Sequence, residues 1–410
     1  MPAGKWITHR TFFCVVVGIM LVAFLLLPRT LAQHTNVPGV SSSQIDLGSC
    51  CPLTGLLAER GQQLQLGAQT YLQFVNEQGG ISGRKIKLMQ CDDHYDADSA
   101  ITCFNSCLKE KVFAGAFFVG SAAIGKYVRM ADTTRMPMLG FCSGSASIYE
   151  SHPSVFVLRR GYADEIKQQV RELCGHRGIK RIAVIYQNDA RGAVVRESAI
   201  QTLSGYGVRP VTEASYSRNA GEIEEAYRTV KQAKPQAVLL GVNAEALKAL
   251  IKRKLEDNWQ TLFVAESVAD DYLEELGKAA DGTILTQVVP LLSEEQLPAV
   301  KLFNRLHAKY AGKTPPANTA FESFLNALVC VEALKHCGQN LTRQGFVQAL
   351  ESLHDLDIGA GANYRVNFSS GNHVGWPLSS IYFTVVRGGR LSRITEADWA
   401  SLVKPVMEPK

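Results

Sequence analysis

From about residue 44 onward the chain alternates short β-rich runs with amphipathic helical stretches, and no other feature narrows the fold as much. "QIDLGSC" reads as a strand, and "ERGQQLQLGAQTYLQFVNEQGG" repeats Leu64, Ala68, Leu72 and Val75 at helical spacing before stopping at Gly79-Gly80. "KIKLMQC", "FAGAFFVG", "MPMLGF" and "SVFVLRR" read as further strands, with helices over "DADSAITCFNSCLKE" and "AAIGKYVRMADTT" between them. A second series follows Gly161: strands "RIAVIYQ", "RPVTEASY", "QAVLLGV", "TLFVAES" and "GTILTQVV", again with helices between. Strand, helix, strand, helix is the pattern of a parallel sheet covered on both faces, here run through twice. The expected fold class is therefore α/β, with two doubly wound parallel-sheet lobes.

Beyond Pro290 the pattern turns helical over "EEQLPAVKLFNRLHAKYAG", "NTAFESFLNALVCVEALKHCG" and "TRQGFVQALESL". The end reads as β-rich, with "YRVNFS" and "SIYFTVVRGGRLSRI" joined by a polar turn. No low-complexity linker divides the halves, which points to two lobes crossed more than once by short hinge segments.

Lys5, His9 and Arg10 precede the apolar run Thr11 to Leu27, and Thr30 and Ala32 form a small-x-small site. A cationic start, an apolar core and such a site make a secretory signal peptide over 1–32, cut after Ala32, so the rest is expected to be exported. The run is borderline for a bilayer span, so an uncleaved anchor stays open. The formal net charge of +5 is spread along 410 residues, which argues against a nucleic-acid partner. Without Cys14, nine cysteines remain, an odd number that leaves at least one thiol free or paired between chains.

Motifs for catalysis are missing: there is no GxxxxGK[ST] loop, strand-linked GxGxxG, HExxH or paired CxxC, and "GFCSG" is not a nucleophile elbow. The acidic run "CDDHYDADS" lacks the central glycine and distant glutamate of a calcium loop, so it is expected to end a strand and cap the next helix through Asp96 or Asp98. No enzyme, cofactor or metal is expected.

An ordered set of segments resembles the periplasmic substrate-binding proteins of the leucine/isoleucine/valine-binding type, which serve ABC importers. These are "PLTGLLAERGQQLQLGAQTYLQFVNEQGGISGRKIKL", "FVGSAAIGKYVRMADTTRMPMLGFCSGS", "RIAVIYQNDARG", "TQVVP" and "LTRQGFVQALESL", and the likeness runs from about Gln44 to Ile394. The resemblance implies type I periplasmic-binding lobes, 44–160 with 291–365 and 161–290 with 366–410, joined by three hinge strands. It also implies a monomer that holds an amino acid or a related compound, such as an amide, in the cleft and delivers it to an ABC permease. A ligand-sensing ectodomain using the same cleft is the alternative.

In members of the family that bind an α-amino acid, backbone N–H groups and hydroxyls of two first-lobe loops hold the carboxylate. Here those loops are Gly120-Ser121-Ala122-Ala123 and Ser143-Gly144-Ser145, with the family's serine falling at Ser121 or, shifted by one, at Ala122. Glu266, at the end of "FVAES", stands near the family's acidic partner for the ligand ammonium, and Asp189, Arg191, Val242 and Asn243 are further second-lobe candidates. In "GSCCPLTG" the two cysteines have neither the spacing of a metal site nor that of a redox pair. That stretch is expected to form cleft wall, with Leu53 and Thr54 near the ligand and with Cys50 or Cys51 bridging to Cys91 at the end of the neighbouring strand.

Overall fold

Four parallel strands, β1 (Gln44–Cys51), β2 (Lys85–Asp92), β3 (Ala114–Phe118) and β4 (Met138–Phe141), form the first sheet in the order β2-β1-β3-β4. The computed structural model describes residues 37–55, 57–217, 223–269 and 273–408; the expected leader, 1–32, lies outside the described residues. The second sheet has the order β11-β10-β9-β8-β7-β5-β6. It is built from β5 (Ile182–Gln187), β6 (Thr212–Tyr216), β7 (Ala237–Gly241), β8 (Leu262–Ala265), β9 (Ile284–Gln287), β10 (Tyr382–Arg387) and β11 (Arg390–Arg393). Strands β5 to β9 are parallel, whereas β10 joins β9 antiparallel and turns back into β11. In both sheets the first strand lies between the second and the third. The order therefore reverses at β1/β3 and at β5/β7, and a crevice opens beyond the carboxyl ends of the strands there.

Burial explains why these runs became strands. β3 and β7 are buried along their whole lengths, as unbroken apolar strands covered on both faces must be. The covering helices are α1 (Ala58–Glu77), α2 (Ala97–Lys109) and α3 (Ser121–Thr134) in the first lobe, and α4 (Tyr162–Val170), α5 (Ala190–Gly205), α6 (Glu224–Gln232) and α7 (Ala244–Glu256) in the second. The later helices α8 (Pro298–Tyr310), α9 (Asn318–His336) and α10 (Arg343–Glu351) return to the first lobe. Tyr71 of α1 meets Phe324 of α9 edge-on at 5.2 Å, and Arg343 of α10 donates from Nε to the Phe113 carbonyl at 2.9 Å. Contact between α1 and α9 is close enough that a Cβ on Gly67 would lie 1.9 Å from the Ala320 carbonyl oxygen, so only glycine fits.

Three features differ from the sequence expectation. "SVFVLRR" and "YRVNFS" form isolated bridges, not strands, their residues pairing one at a time with Met138, Val374, Leu356 and Asn372. There Gly375 and Trp376 donate backbone N–H groups to Val157 and Leu158 at 2.8 and 2.9 Å. The chain also ends in a helix, α11 (Glu396–Met407), opened by a capping box in which the Thr395 hydroxyl and the Asp398 carboxylate each take the other's backbone N–H. Finally, Cys91 is bonded to Cys103, and neither Cys50 nor Cys51 is bridged. Cys50 is the in-register neighbour of Cys91, but α2 lays Cys103 over the end of β2 with the two Cα atoms 5.5 Å apart, the spacing a disulfide prefers. Cys50 instead points under α2, where its sulfur lies 3.7 Å from that of Cys107. Among the described residues, no helix is long and apolar enough to cross a membrane.

Candidate functional site

A small cavity, partly open to solvent, lies between the two sheets. Both walls come from the ends of strands and the starts of helices, where the reversal of strand order leaves room.

On the first wall, the backbone bulges just before the cavity: Phe117 has φ 64° and Gly140, on the adjacent strand, φ 78°. Bulges of this kind re-aim the chain that follows. Gly120 then adopts φ 103°, and a Cβ there would lie 2.9 Å from the Tyr95 ring, so glycine is required both by conformation and by space. Helix α3 starts at Ser121 without a side-chain cap, leaving its first N–H groups next to the cavity that Gly120 and Ser121 line. Behind Ser121 runs a string of hydroxyls: its Oγ lies 3.3 Å from Ser143 Oγ, which lies 3.3 Å from the Tyr162 hydroxyl. The Ser145 backbone N–H donates to Ser143 Oγ at 3.3 Å. Ser143 and Ser145 are buried behind the surface, and Ala122 is not among the lining residues.

Leu53 and Thr54 do not reach the cavity. The Asp92 carboxylate draws their loop back onto the end of β2, accepting the Leu53 N–H at 2.8 Å and the Thr54 hydroxyl at 2.7 Å. Leu57 and Arg60, one helical turn later, form the wall in their place. Tyr95 completes it from the "CDDHYDADS" turn, where His94 and Tyr95 both have positive φ and Asp96 caps α2 through the N–H groups of Asp98 and Ser99. Beneath, the buried Asp93 carboxylate accepts from the Tyr127 hydroxyl at 2.6 Å and the Tyr95 N–H at 2.9 Å, and burial pushes its carboxyl up to about 6.

The second wall contains Tyr162, Gln187, Arg191, Asn243, Ala244, Glu245 and Val268. Asp189 caps α5 by accepting the Gly192 N–H at 3.0 Å and holds Gln187 Nε2 at 2.6 Å. Asn243 caps α7 in the same way, through the Ala246 N–H at 2.8 Å. Val242 is buried and contributes its carbonyl, which accepts from Arg191 Nη2 at 3.0 Å.

Glu266 differs most from its expected role. Its carboxylate is fully buried and takes Arg191 Nη2 at 2.6 Å, so the acid expected to meet a ligand ammonium already has a cation. Arg191 lies between Glu266 and the cavity and packs over the Tyr162 ring at 5.2 Å. Burial pushes the Glu266 carboxyl up to about 7 while Arg191 pulls it down; burial also disfavours the Arg191 charge, but Glu266 and the neighbouring Tyr162, Tyr216 and Tyr95 together outweigh that and hold the guanidinium above its ordinary range.

A second buried arginine, Arg159, lies on the first crossing between the lobes. Its Nη2 donates to Glu165 Oε1 and Ser267 Oγ, both at 2.8 Å, and its Nη1 faces Glu322 of α9 at 3.4 Å. Glu165 in turn accepts the Ser267 N–H at 2.9 Å and the Thr286 hydroxyl at 2.7 Å. Sequence reading had no route to this network, because its members come from a crossing segment and from both lobes. Tyr95 and Tyr162 did leave a trace, each an aromatic beside polar turn or helix-start residues. Among the described residues, no group of three or more His, Cys, Asp and Glu side chains is placed to hold a metal ion.

Residues 44–390 match the sequence profile of a family described as periplasmic binding protein. Leu/Ile/Val-binding protein homolog 7 of Brucella melitensis is 23% identical over 364 residues, covering 81% of this chain and 87% of its own. A possible leucine/isoleucine/valine-binding protein from Rhodopirellula baltica superposes with a TM-score of 0.80 at 23% identity, over 88% of this chain and 98% of that one. A branched-chain amino acid ABC transporter protein from Thermus thermophilus, solved with bound valine, gives 0.79 at 15% identity over 88% and 99%.

Proposed function

The chain belongs to the periplasmic binding protein family, whose members bind substrates and are not enzymes, and from that premise we propose that it is an extracytoplasmic solute carrier for an ABC permease. One small polar solute, an amino acid or a related compound such as an amide, is captured in the cleft between the lobes 44–160 with 291–365 and 161–290 with 366–410. The protein works as a periplasmic monomer, and the permease reads its closed form.

The observation that carries this reading is the origin of the cavity's two walls. Gly120 and Ser121 follow β3, Gln187 ends β5, and Asn243 and Val268 follow β7 and β8, so a ligand touching both walls ties the lobes together. The uncapped start of α3, backed by the Ser121, Ser143 and Tyr162 hydroxyls, suits a carboxylate, because helix N-termini carry partial positive charge and unsatisfied donors. A melting-temperature screen against a panel of solutes tests the proposal. A solute at 100 times its Kd adds about 2.7 kcal/mol of stability and raises the midpoint visibly. No response to any amino acid, amide or related carboxylate overturns it.

A further inference from the structure

We propose that Cys50 and Cys107, thiols in contact in this structure, are joined as a second disulfide beside Cys91–Cys103 when the chain is made in an oxidising compartment. The inference rests on the extracytoplasmic location of the family and on nothing about the ligand.

Four cysteines form a two-by-two array. Cys50 of β1 and Cys91 of β2 are in-register partners on neighbouring parallel strands, so their side chains leave the sheet on the same face, with the backbones about 4.8 Å apart. Helix α2 crosses that face and carries Cys103 and Cys107 one turn apart, about 6 Å along its axis. The two spacings are close enough for both rungs to close side by side. The first rung is bonded, with Cα atoms 5.5 Å apart, and in the second the sulfurs lie 3.7 Å apart. Gly48, two residues before Cys50 on the same face of β1, lets α2 come this near, since a Cβ there would lie 2.7 Å from Cys107 Sγ.

Cys51 does not compete for Cys107. It leaves the opposite face of β1, where its sulfur accepts from Gln65 Nε2 of α1 at 3.0 Å. The array belongs to an apolar cluster with Phe104, Val112 and Phe118, a setting that suits a disulfide, which needs no hydrogen-bond partner.

Cys50 and Cys107 are both buried, so the bond forms before α2 has packed. One thiolate attacks the disulfide of an oxidant of the export compartment, giving a mixed disulfide. The second sulfur then displaces the oxidant and forms the Cys50–Cys107 bond. The two electrons and two protons lost by the pair end on the oxidant, which leaves as a dithiol. Cys50 stands seven residues before Leu57 and Cys91 four before Tyr95, and both of those residues line the cavity. Two rungs therefore anchor β1 and β2 just before the chain enters the first wall.

Peptide mapping of the full chain, purified from the export compartment and alkylated without reductant, tests this. Cleavage before Asp92 and after Phe104 separates Cys91, Cys103 and Cys107, and fragmentation between Cys50 and Cys51 assigns the linked sulfur. A Cys50–Cys107 pair is expected beside Cys91–Cys103. Cys91–Cys103 linked with Cys50 and Cys107 both alkylated overturns the inference alone, as does the crossed pairing of Cys50 with Cys103 and Cys91 with Cys107. All four alkylated overturns it together with the extracytoplasmic reading.

Cys107→Ser supplies the second arm, because it releases Cys50. Thiol titration of the unfolded, unreduced variant is expected to find one thiol more than in the unaltered protein, and a count that does not rise overturns the proposal. The map uses the unaltered protein, so it decides even where the variant does not fold.

Discussion

The two walls of the cleft neutralise their buried polar groups by different means. In the first lobe, Asp93 is met by a tyrosine hydroxyl and a backbone N–H, and the Ser121 and Ser143 hydroxyls form a string that ends on Tyr162 of the second wall. In the second lobe, Glu266 is met by Arg191, and at the crossing Glu165 and Glu322 are met by Arg159. Hydroxyls can turn and exchange partners at little cost, whereas a buried ion pair holds its members in place because leaving either one alone is expensive. The first wall can therefore adapt its donors to a ligand, while the second presents a fixed guanidinium.

The largest test of that contrast is Glu266→Ala, which leaves Arg191 buried and unpaired and is expected to cost about 3–5 kcal/mol in urea unfolding. Replacing both residues, as Arg191→Met with Glu266→Leu, is expected to cost far less than the two single changes added together. A double variant as costly as that sum would mean that the pair is not the unit described.

Next comes the pH dependence of the first wall. Burial raises the Asp93 carboxyl to about 6, above its unfolded value near 4, so the folded chain holds this proton more tightly. The resulting stabilisation, about 2–3 kcal/mol, is full below pH 4 and is lost as pH rises through 6. Asp93→Asn should flatten that part of the slope when urea midpoints at pH 4.5 and pH 7 are compared with those of the unaltered protein. An unchanged slope would remove Asp93 as its source.

Gly120→Ala forces φ 103° on a residue with a side chain and crowds the Tyr95 ring. A loss of about 1–3 kcal/mol is expected, together with loss of the melting shift given by any bound solute. The smallest change in stability is expected from Ser143→Ala, under about 1 kcal/mol, because the neighbouring hydroxyls can re-pair. Binding is the more sensitive measurement there, and any loss is expected to act through Ser121, whose hydroxyl Ser143 supports from behind the cavity surface.

Much of the architecture was legible because it rests on local periodicity. The apolar runs that became β5 and β7 and the spacing of Leu64, Ala68, Leu72 and Val75 in α1 are properties of neighbouring residues. The helix start at Asp96 was legible for the same reason. Helix α11 was missed, although Thr395 and Asp398 have capping-box spacing, because the strand-forming run before them set the reading of the whole end. The site was less legible, because its decisive contacts are distant in sequence. Arg191 and Glu266 are 75 residues apart and meet because α5 and β8 flank the same crevice. Spacing could nominate each of them but could not show that they neutralise each other. The cysteines repeat the lesson: strand register put Cys91 beside Cys50, and the packing of α2 chose Cys103.

The central claim is that one solute is held between the two walls. Titration calorimetry tests it most directly, using the solute with the largest melting shift on the exported protein and on one change in each wall, Ser121→Ala and Asn243→Ala. One site per chain is predicted, weakened by either change. A stoichiometry other than one, or an affinity that neither change alters, would contradict the account.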